Sequence, residues 1–167
     1  MQVRIRETGA VMYESEFRAL HPDTSFPPQI DADTLSTFGA DVVLEGAQAS
    51  GGTVYQYSQA AGVEKDSQGR WFTKYVLGPI FTDIPATGDK PAQTAAAQET
   101  AYRAMKDADR ASSVRSIRND KLKECDWTQI ADSTANKAAW ATYRQSLRDV
   151  SSQIGFPWEV IWPTQPE

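Results

Sequence analysis

The sequence predicts an α+β protein, and three observations carry that prediction. Alternating and β-branched runs fill the first eighty residues, Pro and Gly cluster at Ile84-Pro85-Ala86-Thr87-Gly88-Asp89-Lys90-Pro91, and no Gly or Pro occurs from Ala92 to Glu124. The first pattern reads as a small antiparallel β-rich domain with short helices. The second reads as a linker, and the third as one long helix opening a helical module. The expected organisation is therefore an N-terminal domain over 1–84, a linker over 85–91, and a C-terminal module over 92–167.

In the N-terminal part, Val3-Arg4-Ile5-Arg6 has the period of a half-buried strand. Thr8-Gly9 is a turn leading into Ala10-Val11-Met12-Tyr13, so a hairpin is expected. Ser15 and Glu16 open a short helix through Leu20, which Pro22, Pro27 and Pro28 stop. Asp31 or Asp33 caps a second helix, with Leu35 and Phe38 inward and Gly39 closing it. Asp41-Val42-Val43-Leu44 follows as a strand. Thr53–Ser58 and Trp71–Leu77 are rich in β-branched and aromatic residues, and Glu64–Gly69 between them reads as a hairpin tip. On that reading Tyr55 and Tyr57 share a face, as do Trp71, Thr73, Tyr75 and Leu77.

A helix over Ala92–Glu124 would reach about 50 Å at ~1.5 Å per residue and should project from a small domain. Its apolar residues Tyr102, Met105, Val114, Ile117 and Leu122 form no continuous stripe. Only its last third is suited to packing. A second helix is capped by Ser133 or Thr134. It carries Trp140, Tyr143, Leu147 and Val150 within about 80° of one another, with Lys137, Arg144, Gln145 and Arg148 turned outward. Asp126–Ile130 then joins a helical hairpin, and Phe156-Pro157-Trp158 with Val160, Ile161 and Trp162 forms an extended apolar tail able to fold back over it.

Composition narrows the chemistry. Seventeen Lys and Arg face 22 Asp and Glu, a net charge of −5, and without a basic run the chain lacks the footprint of a nucleic-acid binder. No stretch approaches the ~20 apolar residues of a membrane span. The expectation is a soluble, intracellular protein with no nucleic-acid or membrane partner. Cys125 is the only cysteine and His21 the only histidine, too few for a structural zinc site or a nucleophile triad. His21 reads as the end of a helix and Cys125 as a buried thiol. Glu14, Glu16 and Asp23 are close in sequence but read as solvated acids. No catalytic, cofactor-binding or metal-binding residue is expected, and no enzyme.

The C-terminal motifs are the most specific. Asp126-Trp127-Thr128-Gln129, Trp140-Ala141-x-Tyr143-Arg144-Gln145-x-Leu147-Arg148-Asp149 and Trp162-Pro163 resemble, over roughly residues 110–166, the C-terminal module of bacteriophage tail assembly chaperones. Ile130-Ala131-Asp132 departs from the family's usual Leu-Pro-Asp. The N-terminal half is similar in style to tail fibre assembly proteins, through Ala19-Leu20-His21-Pro22, Phe26-Pro27, Leu35 to Gly39, and Gly69-Arg70-Trp71. The resemblance implies a non-catalytic chaperone that engages tail fibre or tail subunits in the host cytoplasm during virion assembly, without nucleotide or metal. Retention on the finished tail, and homo-oligomerisation, are left open. The alternative is a virion component at the fibre tip or baseplate that binds a receptor through the β-rich part.

Candidate partner-binding residues are Trp127, Trp140, Tyr143, Arg144, Arg148, Trp158 and Trp162. Tryptophans at these positions read first as core. Trp158 and Trp162 stand foremost as contacts, because the tail is short and terminal. Arg144 and Arg148, four residues apart, suit a partner carboxylate, with a solvated face as the plainer reading.

Overall fold

Strands β1 (Gln2–Ile5) and β2 (Val11–Tyr13) form the expected hairpin, turned at Gly9 with φ +72°. The computed structural model describes residues 1–166 and divides into two compact units, Met1–Ile80 and the residues from Phe81 onward. In the first unit, helix α1 (Glu14–Ala19) starts where the Glu16 carboxylate accepts from the Tyr13 N–H at 2.7 Å. Helix α2 (Ala32–Thr37) is capped by Asp31, which accepts from the Thr34 N–H at 2.7 Å, and it ends at Gly39, whose φ of +66° suits a residue without Cβ. Strand β3 (Ala40–Leu44) follows directly, and β4 (Tyr57–Lys65) and β5 (Trp71–Gly78) complete a five-stranded sheet in the order β2-β1-β3-β5-β4.

The sheet is mixed, which corrects the antiparallel expectation. β5 pairs antiparallel with β4 but parallel with β3, through Val43↔Trp71 and Leu44↔Phe72. The reason is topological. The chain leaving β3 passes to the outer edge as β4, so β5 returns inside and runs in the direction of β3.

The span of β4 also differs from expectation. Thr53–Gln56 is a turn, closed by the Gln56 N–H on the Thr53 carbonyl at 3.0 Å, so Tyr55 lies outside the strand and does not share its face with Tyr57. The strand instead runs on through Gly62, where a register shift between Ala60 and Val63 marks a bulge and φ is +87°. The hairpin tip is Asp66–Arg70. Asp66 accepts there from the Gln68 and Arg70 N–H groups and pairs with the Arg70 guanidinium at 2.8 Å.

Helices α1 and α2 cover one face of the sheet. Val3, Phe17, Ile30, Leu35 and Ala40 form the buried core, with Met12, Phe26, Phe38 and Val42 packed against it. His21 lies beyond the end of α1, its ring 4.9 Å from Phe17 and 5.0 Å from Phe38, in an aromatic cluster that accounts for the one histidine structurally.

The second unit begins with a loop that folds back on the next helix. Ile84 and Gln93 exchange backbone hydrogen bonds, Thr87 bridges Lys90, and the Asp83 carboxylate accepts from the Ala95 N–H. Helix α3 (Ala95–Glu124) is capped by Thr94, which accepts from the Ala97 N–H. As its broken apolar pattern predicted, it buries little of itself: Ala111 and Val114. After a 3-10 turn at Asp126–Gln129, helix α4 (Lys137–Asp149) completes the hairpin. Its cap is Asn136, which accepts from the Ala139 N–H, and not Ser133 or Thr134. Ser133 instead accepts from the Ala135 N–H in the turn before the helix, so the chain is not yet helical there. No helix among the described residues is long and apolar enough to cross a membrane.

Candidate partner-binding surface

The hairpin of α3 and α4 is built around four buried residues, Cys125, Trp140, Tyr143 and Leu147, with Leu122, Ala135 and Trp162 packed against them. The i, i+3, i+7 spacing of α4 supplies three of the four. Trp140 meets Tyr143 edge to face, with ring centroids 5.7 Å apart, and Trp127 at 5.8 Å. Such pairs add to the burial that already fixes the helices together. Burial raises the Tyr143 phenol above its ordinary value, and the neighbouring Cys125 and Glu124 raise it further.

Polar residues lock this core from its margin. Arg144 does not turn outward: its side chain is only 12% exposed, donating to the Leu122 carbonyl at 2.8 Å, reaching Cys125 Sγ at 3.0 Å and pairing with Asp126 at 2.8 Å. The Leu122 carbonyl is in the last turn of α3, where it accepts from the Cys125 thiol at 3.2 Å and from the guanidinium, so Arg144 supplies the stronger donor to a helix-end carbonyl while joining the two helices. Burial opposes the charge on Arg144, but the hydrogen bonds to Asp126 and Cys125 outweigh it and hold the guanidinium above its ordinary pKa. Thr128 is fully buried, donating to the Cys125 carbonyl at 2.7 Å and accepting from Gln129 Nε2 at 2.8 Å.

The motif Asp126-Trp127-Thr128-Gln129 is thereby divided by role. Asp126 holds Arg144, while Thr128 and Gln129 close the turn. Trp127 is 53% exposed beside Ile130, itself 54% exposed. The other named candidates separate in the same way. Trp140 and Tyr143 are core, and Arg148 is exposed on the far side of α4. Trp158 is half-buried, and its indole N–H donates to Asp107 at 2.6 Å. Trp162 packs on the hairpin core with the Lys121 ammonium 5.7 Å from its ring centre. Of the four tryptophans, the turn residue Trp127 is the one exposed beyond half, and not the two in the tail.

A second exposed apolar pair lies where the chain turns after α4. Gln153 donates to the Ile161 carbonyl and accepts from the Ile161 N–H, both at 2.8 Å. This loop presents Ile154 fully exposed and Ile161 at 81% exposure, lining an open groove with Ser152, Gly155 and Glu159. Ile154 escaped the sequence reading because it stands alone between polar residues, with no periodicity to mark it. Among the described residues no group of three His, Cys, Asp or Glu side chains is placed to hold a metal ion.

The polar residues of the turn motif are thus spent on the module's own geometry, while its turn and the loop after α4 expose apolar side chains. Residues 111–167 match the family model described as phage tail assembly chaperone protein. Over these residues the chain is similar to the phage tail assembly chaperone family, on the part of the sequence where the C-terminal motifs lie. No curated protein and no solved structure matches the chain.

Proposed function

We propose that the chain is a bacteriophage tail assembly chaperone that binds a tail or tail fibre subunit in the host cytoplasm during virion assembly, without catalysis. The observation that carries this reading is the family match over residues 111–167, the stretch that exposes Trp127, Ile130, Ile154 and Ile161. Trp127 and Ile130 on the turn, with Ile154 and Ile161 on the Gln153 loop, are the contact residues. Unassembled tail subunits expose apolar surface and strand edges until they meet their neighbours, and covering these surfaces suppresses wrong pairing. An aromatic anchor held by its own scaffold loses little entropy on binding, so it contributes strongly per residue. Arg148 lies on the opposite, polar face and supplies charge to the rim at most.

The experiment is co-expression with the tail or fibre subunits encoded beside this chain, followed by size-exclusion chromatography with light scattering. Co-elution, with loss of the subunit's solubility when this chain is omitted, supports the reading. A subunit that is soluble and correctly assembled alone, and forms no complex, overturns it. The second reading, a virion component, rests on the N-terminal unit, which lies outside the matched residues and has an open binding-type face of its own. Fixed stoichiometry in purified virions would favour it.

A further inference from the structure

The two faces of the N-terminal sheet are unequal. Helices α1 and α2 cover one. On the other, side chains from all five strands surround a partly enclosed pocket lined by Tyr13, Gln2, Val43, Ala60, Thr73 and Tyr75, with Glu45 at its rim just beyond β3. The pocket exists because β3 and β5 pair over only two residue pairs and then separate. Gly46 then turns against β5 so closely that a Cβ there would lie 2.0 Å from the Thr73 carbonyl oxygen. That close approach aims Glu45 back over the opening, where the Tyr75 hydroxyl donates to its carboxylate. At the floor, the buried Thr73 hydroxyl donates to the Gln2 side-chain oxygen at 3.1 Å.

The lining offers aromatic faces, a carboxylate and neutral acceptors, a combination suited to a cation. The same face already stacks cations on aromatic rings. The Arg4 guanidinium lies 4.1 Å and the Lys65 ammonium 5.1 Å from the centre of the Trp71 ring. Arg4 is engaged where it is, since it also pairs with Asp41 at 3.7 Å. The unit carries ten acidic residues against six basic ones, so its field favours a positive partner. We propose that this pocket binds a basic side chain of a protein partner, an arginine or lysine seated against Tyr13 and Tyr75 with Glu45 as its counter-ion. The site is built from residues of the N-terminal unit alone and does not rest on the chaperone reading.

The test is an NMR titration of the full chain with N-acetyl-arginine amide and N-acetyl-lysine amide, with N-acetylglucosamine as a neutral comparison. The expected result is saturable shifts confined to residues 1–2, 13, 43–46, 60 and 73–75 with the cationic probes. Glu45→Gln should weaken them about tenfold, since a charge-assisted contact becomes a neutral one. Tyr75→Phe, which keeps the ring, should weaken them less than Glu45→Gln does. Absence of localised shifts, equal affinity in a Glu45→Gln protein with an unchanged amide spectrum, or stronger binding of the neutral sugar would each overturn the proposal, the last assigning the pocket to a glycan.

Discussion

The two units solve the same problem, how to hold a small core together, with different materials. In the N-terminal unit, aliphatic and phenylalanine side chains fill the space between sheet and helices, and carboxylates do much of the local tying: Asp31 caps α2, Asp66 closes the hairpin tip, Glu14 pairs Arg18, and Asp41 pairs Arg6. In the C-terminal unit three large side chains and the small Cys125 make the hairpin core, and neutral groups do most of the tying, with Thr94 and Asn136 as helix caps and Thr128 and Gln153 as loop clasps. The difference teaches where each unit is vulnerable. The first should respond to acid, and the second to loss of single large residues.

The largest expected effect tests the second half of that statement. Trp140→Ala should cost about 3–5 kcal/mol and unfold the C-terminal unit, read as loss of its amide dispersion with the N-terminal pattern retained. Retention of both patterns would show that the helices have another source of cohesion. Arg144→Met should cost about 1–3 kcal/mol in urea denaturation, because Asp126 loses its guanidinium partner and the Leu122 carbonyl is left with only the weak Cys125 thiol donor, while the apolar stem is kept. Asn136→Ala removes only a cap and should cost about 1 kcal/mol. Trp127→Ala should change stability by at most about 1 kcal/mol, as an exposed position does. It should nevertheless weaken co-elution with the tail subunit, and a variant that binds undiminished would remove Trp127 from the contact surface.

The pH prediction sharpens the first half. The hydrogen bonds from Thr34 hold Asp31 below its usual 3.8, whereas for Asp66 burial pushes upward and is outweighed by the hydrogen bonds from Arg70 and Gln68. Carboxylates depressed in the folded state contribute stability that is present above their unfolded pKa and is lost as pH falls through the folded value. Acid unfolding monitored between pH 5 and pH 2 should therefore affect the N-terminal unit below about 3.8, with Asp31→Asn flattening part of that slope. The caps Thr94 and Asn136 do not titrate, so they contribute no such slope to the second unit.

Legibility followed the same division. The α4 face was readable because Trp140, Tyr143, Leu147 and Val150 keep one helical period, and α2 because an acidic cap and a closing glycine bracket it. Arg144 was misread because a wheel records the angle of Cα, not the reach of a long side chain. It sits beside Trp140 on the wheel, close enough for its guanidinium to return to the end of α3. Thr53–Tyr55 failed for the opposite reason. Those residues favour strands locally, yet the exit from β3 and the crossing to the sheet edge require a turn there, which is a tertiary demand. The parallel pairing of β3 with β5 is likewise a property of chain routing that no local pattern encodes. Among the candidate contacts, the sequence ranked Trp127 below Trp158 and Trp162, yet it is the most exposed of the three, because burial of the tail residues depends on how the tail folds back.

Gln153 behaves, in effect, as a borrowed peptide unit. Its amide presents one donor and one acceptor in a plane, as backbone does, and so it stands in for the neighbouring strand that Ile161 lacks. A carboxylate or an ammonium at this position could satisfy only one half of that pairing. A single neutral side chain thus joins the two ends of the loop that carries Ile154 and Ile161, and a change of one atom, Gln153→Glu, removes half of that joint.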